Sequence, residues 1–253
     1  MLARLGRIGL LGLRELGALG VLFGRVLDRL ARLRCDLPEL LRAGERFGWQ
    51  SFPIVAATAL LSGGIVVMQS LPAVVQLQAM RLLPWAASFS TLREMAPALI
   101  GLMFSGRVGS NNAAELGTMV VTEQIDALRI LGIDPYELLV VPRFVAMIVM
   151  AASLTIVGDL GAIVGAMLTA KVMAGMDLWQ FVMLTRDQVL LSDFLSGVVK
   201  GGAFGAEIAI VSSYFGLRTE GGAAGVGRAV NASVVGSALG IIFFDFLLTG
   251  ALG

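Results

Sequence analysis

Residues 141–171 read VPRFVAMIVMAASLTIVGDLGAIVGAMLTAK, with Asp159 the only charge between Arg143 and Lys171. An α-helix rises 1.5 Å per residue, so about 20 apolar residues cross the roughly 30 Å of hydrocarbon in a bilayer. This stretch is longer than that and reads as a membrane-spanning helix. Four further blocks of the same kind lie at about 52–78, 85–110, 191–216 and 232–252. Charges interrupt the second, third and fourth of the five, which therefore face a protein interior for part of their length.

The composition agrees. Of 253 residues, 57% are hydrophobic and 15% charged, whereas a soluble domain is about half apolar and a quarter charged. The expected fold is an all-α integral membrane protein with about five transmembrane helices. Nine of the 19 basic residues precede residue 47, and 17 of the 19 are arginine. In residues 1–46, Leu2, Leu5, Ile8, Leu13, Leu16, Leu27, Leu30, Leu33 and Leu37 follow near-helical spacing, with Arg25, Arg29 and Arg32 on another face. That pattern predicts an N-terminal amphipathic interfacial helix with its arginines at anionic headgroups. A surface helix packed on the rest of the protein is the other reading. Residues 47–253 then form the transmembrane domain.

The basic N-terminal region sets the orientation by the positive-inside rule. The N-terminus is expected in the cytoplasm and Gly253 outside the membrane. The 107–143 connection, with Arg107, Arg129 and Arg143, is then cytoplasmic, the 172–190 connection external, and the 217–231 connection, with Arg218 and Arg228, internal. No removable signal peptide is expected, because no short apolar run ends at a small-residue cleavage site. Small residues recur every fourth position: Pro97, Gly101, Ser105, Gly109 and Ala113; Gly161 and Gly165; Gly197, Gly201, Gly205 and Ala209; Gly236 and Gly240. Such ridges let helices approach closely in lipid, which predicts a tight bundle and a homodimer seam.

Several chemistries are excluded. Histidine is absent and Cys35 is the only cysteine, so neither a zinc site nor a Ser/His/Asp triad is available. No GxxxxGK[ST] phosphate loop occurs, so the chain binds no nucleotide alone. No metal, cofactor or nucleic-acid partner is expected, nor any bond chemistry on this chain.

Residues 92–128 read LREMAPALIGLMFSGRVGSNNAAELGTMVVTEQIDAL. Helix formers with an apolar set at Leu116, Val120, Ile125, Leu128 and Leu131 run from Ala113 to Leu131, before Gly132 and Pro135. The pattern predicts one short amphipathic helix, 113–131, at the cytoplasmic surface. This segment resembles the signature of MlaE/YrbE-family ABC-transporter permeases. The likeness continues through GIDPYELLVVPRFVA (132–146), YFGLRTEGGAAGVGRAVNASVV (214–235) and FDFLLT (244–249), and so spans nearly the whole chain. Ala96 stands where the family usually has glycine, Val120 where a basic residue is frequent, and Ala229-Val230-Asn231 where Ala-Thr-Thr is common.

The resemblance implies a homodimeric permease of the bacterial inner membrane that is energised by a separate cytoplasmic ABC ATPase. It also implies a periplasmic MCE-domain lipid-binding protein as partner, leaves room for a small STAS-domain protein, and makes membrane phospholipids the cargo. The function implied is movement of phospholipid between inner and outer membranes, which maintains outer-membrane asymmetry. Matching motifs carry lipid-cavity or gating roles to Arg93, Glu94, Lys200 and Asp245. Physically, Lys200 and Arg93 are natural partners of a lipid phosphate, while charges that pair between helices and fix the bundle are the structural alternative. Val66, Met68, Leu71 and Val74, with Ile65 and Val75, are the expected apolar wall for acyl chains. Glu115, Glu123, Gln124 and Asp126 are the expected ATPase-coupling positions on the 113–131 coupling helix. The principal alternative is a proton-coupled secondary transporter using Glu94, Glu207 or Asp245. An intramembrane enzyme pairing Asp159 with Asp245 is a weaker one.

Overall fold

The computed structural model describes residues 2–31 and 37–252, with side chains for 13–31 and 40–252. Arg32, Leu33 and Cys35 lie outside the described residues, as do the side chains of Leu2, Leu5, Ile8 and Leu37. In chain order the α-helices are α1 (Leu2–Ala31), α2 (Leu37–Trp49), α3 (Phe52–Gln76), α4 (Leu83–Ser90), α5 (Ala96–Phe104) and α6 (Ser110–Val121). They continue with α7 (Gln124–Ile130), α8 (Val141–Ala174), α9 (Leu178–Gln188), α10 (Leu191–Leu217) and α11 (Gly222–Leu252). No strand occurs among the described residues. The chain is an all-α integral membrane protein.

Four helices are long and apolar enough to cross a bilayer: α3, the Tyr136–Ala174 run that contains α8, α10 and α11. The expected span at 85–110 is part of a longer helical run from Leu83 to Val121. Two π-helical turns, Thr91–Met95 and Ser105–Gly109, divide that run into α4, α5 and α6. π turns inside α-helices frequently mark functional positions. The first one here holds Arg93 and Glu94.

The spans pack backbone to backbone where small residues permit it. Gly63 of α3 lies against the Ala162 carbonyl of α8, and Gly165 of α8 against the Leu60 carbonyl of α3; a Cβ at either position would collide with that oxygen. Gly205 of α10 meets the Met147 carbonyl of α8 in the same way, and Gly236 of α11 faces Val211 and Phe215 of α10. The small-residue ridges are used inside the chain, where they set the α3–α8, α8–α10 and α10–α11 crossings. The main apolar core joins Val55, Ile100, Phe104, Phe144, Met147, Phe204 and Ile208.

Three expected boundaries move. The helix expected over 113–131 is two helices, because Glu123 takes a left-handed conformation (φ 59) between α6 and α7. Its first half is the end of the 83–121 run, leaving α7 as the short surface helix. The last span begins at Gly222 rather than 232, because GGAAGVGRAV continues as helix and Gly225 packs against the Glu220 carbonyl. The 172–190 connection contains α9, which Asp177 caps by accepting from the Trp179 amide at 3.1 Å and which buries Phe181.

α1 docks on the bundle through Leu22 and Val26 while Leu13, Leu16 and Leu27 stay exposed. Arg29 pairs with Asp134 at 2.9 Å, and Arg25 lies over the Tyr136 ring. Both arginines are therefore engaged with protein rather than offered only to headgroups. This helix packs on the rest of the protein along one stripe and leaves a second apolar stripe free.

Gly165→Val is expected to destabilise the detergent-solubilised protein by about 1–3 kcal/mol, the usual cost of overpacking, read as a lowered thermal midpoint. Gly106→Ala, at an exposed position whose Cβ meets nothing within 4 Å, serves as the control without loss. Equal midpoints for the two variants would contradict the α3–α8 crossing.

Candidate functional site

Lys200 is the centre of the first cluster. It sits on α10 with 0% exposure, between the 83–121 run and α11. Pro97 explains one of its partners. In an α-helix the Arg93 carbonyl would accept from the amide of residue 97, and proline has none. Lys200 Nζ donates to that Arg93 carbonyl at 3.0 Å, to Glu94 Oε2 at 2.7 Å and to Thr249 Oγ1 at 2.7 Å. An ammonium has three protons, and these three contacts use them. Asp245 Oδ1 lies 3.1 Å from Nζ as an ion pair, yet it has no hydrogen-bond partner among the described residues. The Thr249 hydroxyl lies 3.1 Å from Glu94 Oε2 and 2.8 Å from the Asp245 carbonyl, which links the cluster back to α11.

Arg93 and Glu94 diverge, as consecutive helical residues about 100° apart must. Glu94 turns to Lys200, and Arg93 turns to the outer edge of the cluster. There Arg93 donates to the Leu252 carbonyl at 2.9 Å, stands 3.7 Å from Asp193 Oδ1, and covers the Phe89 ring. Asp193 also accepts from the Leu190 amide at 3.1 Å, anchoring the first turn of α10. An open cavity of about 550 Å³ runs along α11 beside the cluster, lined within this chain by Ile242, Asp245, Phe246, Leu247, Thr249 and Gly250 of that helix alone.

The expected acyl-chain wall on α3 does not face one way. Val66 and Val74 are buried with Leu83, Ala166, Ala170 and Phe181, and Leu71 packs on that group. Met68, Ile65 and Val75 are exposed. The helix has an inner face toward α8 and an outer face, and the six residues are divided between them.

A second cluster, which the sequence did not single out as a unit, lies nearer the other end of the same helices. Arg143 of α8, 3% exposed, donates to Asn112 Oδ1 at 2.9 Å and to Glu115 Oε1 at 2.9 Å. Asn112 donates in turn to Ser212 and Ser213 of α10, at 2.8 and 3.1 Å. Arg46 of α2 donates to the other Glu115 oxygen at 2.7 Å. The network ties α2, α6, α8 and α10 together. Glu115, expected on a partner-facing surface, instead has both oxygens engaged by arginines of its own chain. The available signal was a charged residue just after Pro142 at the head of a span; its partners were not legible.

Beyond it, the α6–α7 elbow projects outward. Glu123, Gln124 and Asp126 are exposed there, with Asp126 paired to Arg129 at 2.8 Å. So are two apolar residues the sequence reading passed over as a docking feature, Ile130 at 86% and Leu131 at 72% exposure. Asp159 and Glu207 are buried in α8 and α10, and their carboxyl oxygens have no hydrogen-bond partner among the described residues. Glu207 fills the space beside Gly240 of α11. Asp245 is drawn to Lys200, so the imagined Asp159–Asp245 pair does not form.

A family model described as Permease MlaE matches residues 40–251. A probable ABC transporter permease protein of Rickettsia felis is 38% identical over 202 residues, which cover 80% of this chain and 78% of that protein. The chloroplastic protein TRIGALACTOSYLDIACYLGLYCEROL 1 of Arabidopsis thaliana is 31% identical over 230 residues, 90% of this chain and 65% of that one. The intermembrane phospholipid transport system permease protein MlaE of Haemophilus influenzae is 29% identical over 241 residues, 94% of this chain and 92% of that protein.

Lys200→Met strands two carboxylates and is expected to cost about 3–5 kcal/mol, the usual effect of removing one partner of a buried ion pair. The triple variant Lys200→Met, Glu94→Gln, Asp245→Asn is expected to recover most of that loss in thermal unfolding in detergent. A single variant no less stable than the triple would contradict the pairing.

Proposed function

Because the chain belongs to the MlaE permease family, we propose that it is the membrane subunit of an ATP-driven pump that moves phospholipid between the inner and outer membranes of a bacterial envelope. Maintenance of outer-membrane lipid asymmetry is the cellular role this reading assigns. The chain is a transport subunit, and ATP hydrolysis belongs to a partner.

The observation that carries the lipid reading is the Lys200 cluster beside a cavity whose walls are Ile242, Phe246 and Leu247. Polar groups at the floor and apolar walls are the two things an amphiphile requires. The relative from Haemophilus, named for intermembrane phospholipid transport, supports the same cargo. Arg93, Glu94, Lys200 and Asp245 are proposed to hold the cavity closed at rest, with Val66, Met68, Leu71 and Val74 shaping the apolar surroundings. The long α11, whose apolar span is largely unburied within the chain, supports a homodimer in which two copies enclose the cargo. Residence in the inner membrane is supported by the family, and the arginine distribution supports a cytoplasmic N-terminus and a periplasmic C-terminus. In that orientation the Lys200 cluster lies in the outer half of the bilayer, within reach of a periplasmic MCE-domain protein. A small STAS-domain protein fits the cytoplasmic side.

The ATPase is proposed to grip the α6–α7 elbow. Glu123, Gln124 and Asp126 form the polar rim of that contact, and Ile130 and Leu131 are its anchors, since two large apolar side chains this exposed call for a covering partner. Glu115 acts from behind, holding α6 to Arg143 and Arg46. Movement at the elbow reaches the cargo site through a single helical run, because Glu115 and Glu94 lie on the same Leu83–Val121 rod. In the proton-coupled alternative Glu94 and Asp245 are both held by Lys200, which leaves Glu207 as its carboxylate, and membership of an ABC permease family argues against it.

Ile130→Asp with Leu131→Asp is expected to abolish co-purification of the cognate ABC ATPase in mild detergent while leaving the thermal midpoint of the permease unchanged, since both side chains are exposed. ATPase retained at the wild-type level would contradict the elbow as the docking site.

A further inference from the structure

The cluster beside the cavity carries an imbalance of charge. Arg93 and Lys200 supply two cations, while Glu94, Asp193 and Asp245 supply three carboxylates, so the group as a whole is one negative charge in excess. The excess is not distributed evenly. Lys200 has no exposed surface, and its three protons go to Arg93, Glu94 and Thr249. A headgroup arriving through the cavity therefore does not meet the lysine. It meets Asp245, which lines the cavity and keeps 23% of its side chain exposed, with Oδ1 buried against Lys200 at 3.1 Å.

A carboxylate at the edge of hydrocarbon whose one cation is shared with Glu94 is only partly compensated. What compensates it is a cation that brings its own N–H groups or a soft positive face. Apolar walls at Ile242, Phe246 and Leu247 fix the remainder of the ligand as acyl chain. An exposed phenyl ring at Phe246, next to Asp245 in the chain, offers a further surface to an ammonium.

Resting on the lipid-cavity reading above, we propose that this site selects a phospholipid whose headgroup carries an ammonium, bound against Asp245, and discriminates against headgroups whose net charge is negative. The proposal reverses the expectation that Lys200 grips the phosphate. Lys200 instead holds Asp245 in place, and Asp245 reads the headgroup.

The test uses the full chain co-expressed with its ATPase and reconstituted in nanodiscs that contain equal amounts of phosphatidylethanolamine and its N-acetylated form. The two share acyl chains and phosphate and differ in the ammonium. After detergent extraction, the lipid retained by the complex is quantified by mass spectrometry. Wild type is expected to retain the ammonium lipid roughly tenfold over the acetylated one, the discrimination one charge-assisted hydrogen bond supplies. Asp245→Asn is expected to retain lipid without that preference. Equal retention of the two lipids by wild type would overturn the headgroup proposal while leaving the lipid cavity intact. Retention of neither lipid by wild type would overturn the cavity reading and the headgroup proposal with it. The wild-type comparison needs no variant, so a poorly folding Asp245→Asn does not decide the outcome.

Discussion

A lysine without any exposed surface in a membrane bundle must be answered by other groups, and much of this structure follows from how Lys200 is answered. A charged residue at mid-membrane costs about 2.5–3.5 kcal/mol on insertion scales, so its partners cannot be left to chance. Here they come from two elements. The 83–121 run gives Glu94 and the carbonyl that Pro97 frees, and α11 gives Asp245 and Thr249. α10 supplies the lysine itself. Three helices are thereby joined at one nitrogen, and separating any one of them breaks an ion pair or a hydrogen bond in a medium of low dielectric.

The same helices are joined again at their other ends by a different kind of contact. Arg143, Asn112 and Glu115 tie α6 to α8, α10 and α2, and the partly exposed Arg46 completes the chain. Between the two clusters the 83–121 run carries its second π turn, Ser105–Gly109. The run is thus pinned at both ends, with one π turn between the two fixed points. Close glycine contacts keep α3 and α8 together beside it.

Length and apolarity alone made α3, α8, α10 and α11 legible, because a bilayer imposes a minimum run that soluble cores do not. Arg93, Glu94, Lys200 and Asp245 were legible as expensive charges and through their motifs. Their pairing was not, since it depends on which helices are neighbours. Glycine-rich 222–231 reads as loop locally, yet it is the first part of α11, with only Gly225 and Ala229 buried there. The break at Glu123 was hidden by strong helix formers on both sides, and only the left-handed backbone at that residue separates α6 from α7. Val66 and Met68 were grouped by apolarity, while the α8 contact separates them. Glu115 looked like an ordinary surface acid because Arg46 and Arg143 are distant in sequence.

The central claim is that the ATPase cycle opens the Lys200 cluster and moves α11 away from α10. Pulsed electron–electron resonance on a Cys35→Ser background, with spin labels at the exposed positions 195 on α10 and 246 on α11, measures that separation directly in the complex with its ATPase. A longer or newly bimodal distance in the ATP-trapped state than in the nucleotide-free state is the predicted result. An identical distance distribution in both states would contradict the account.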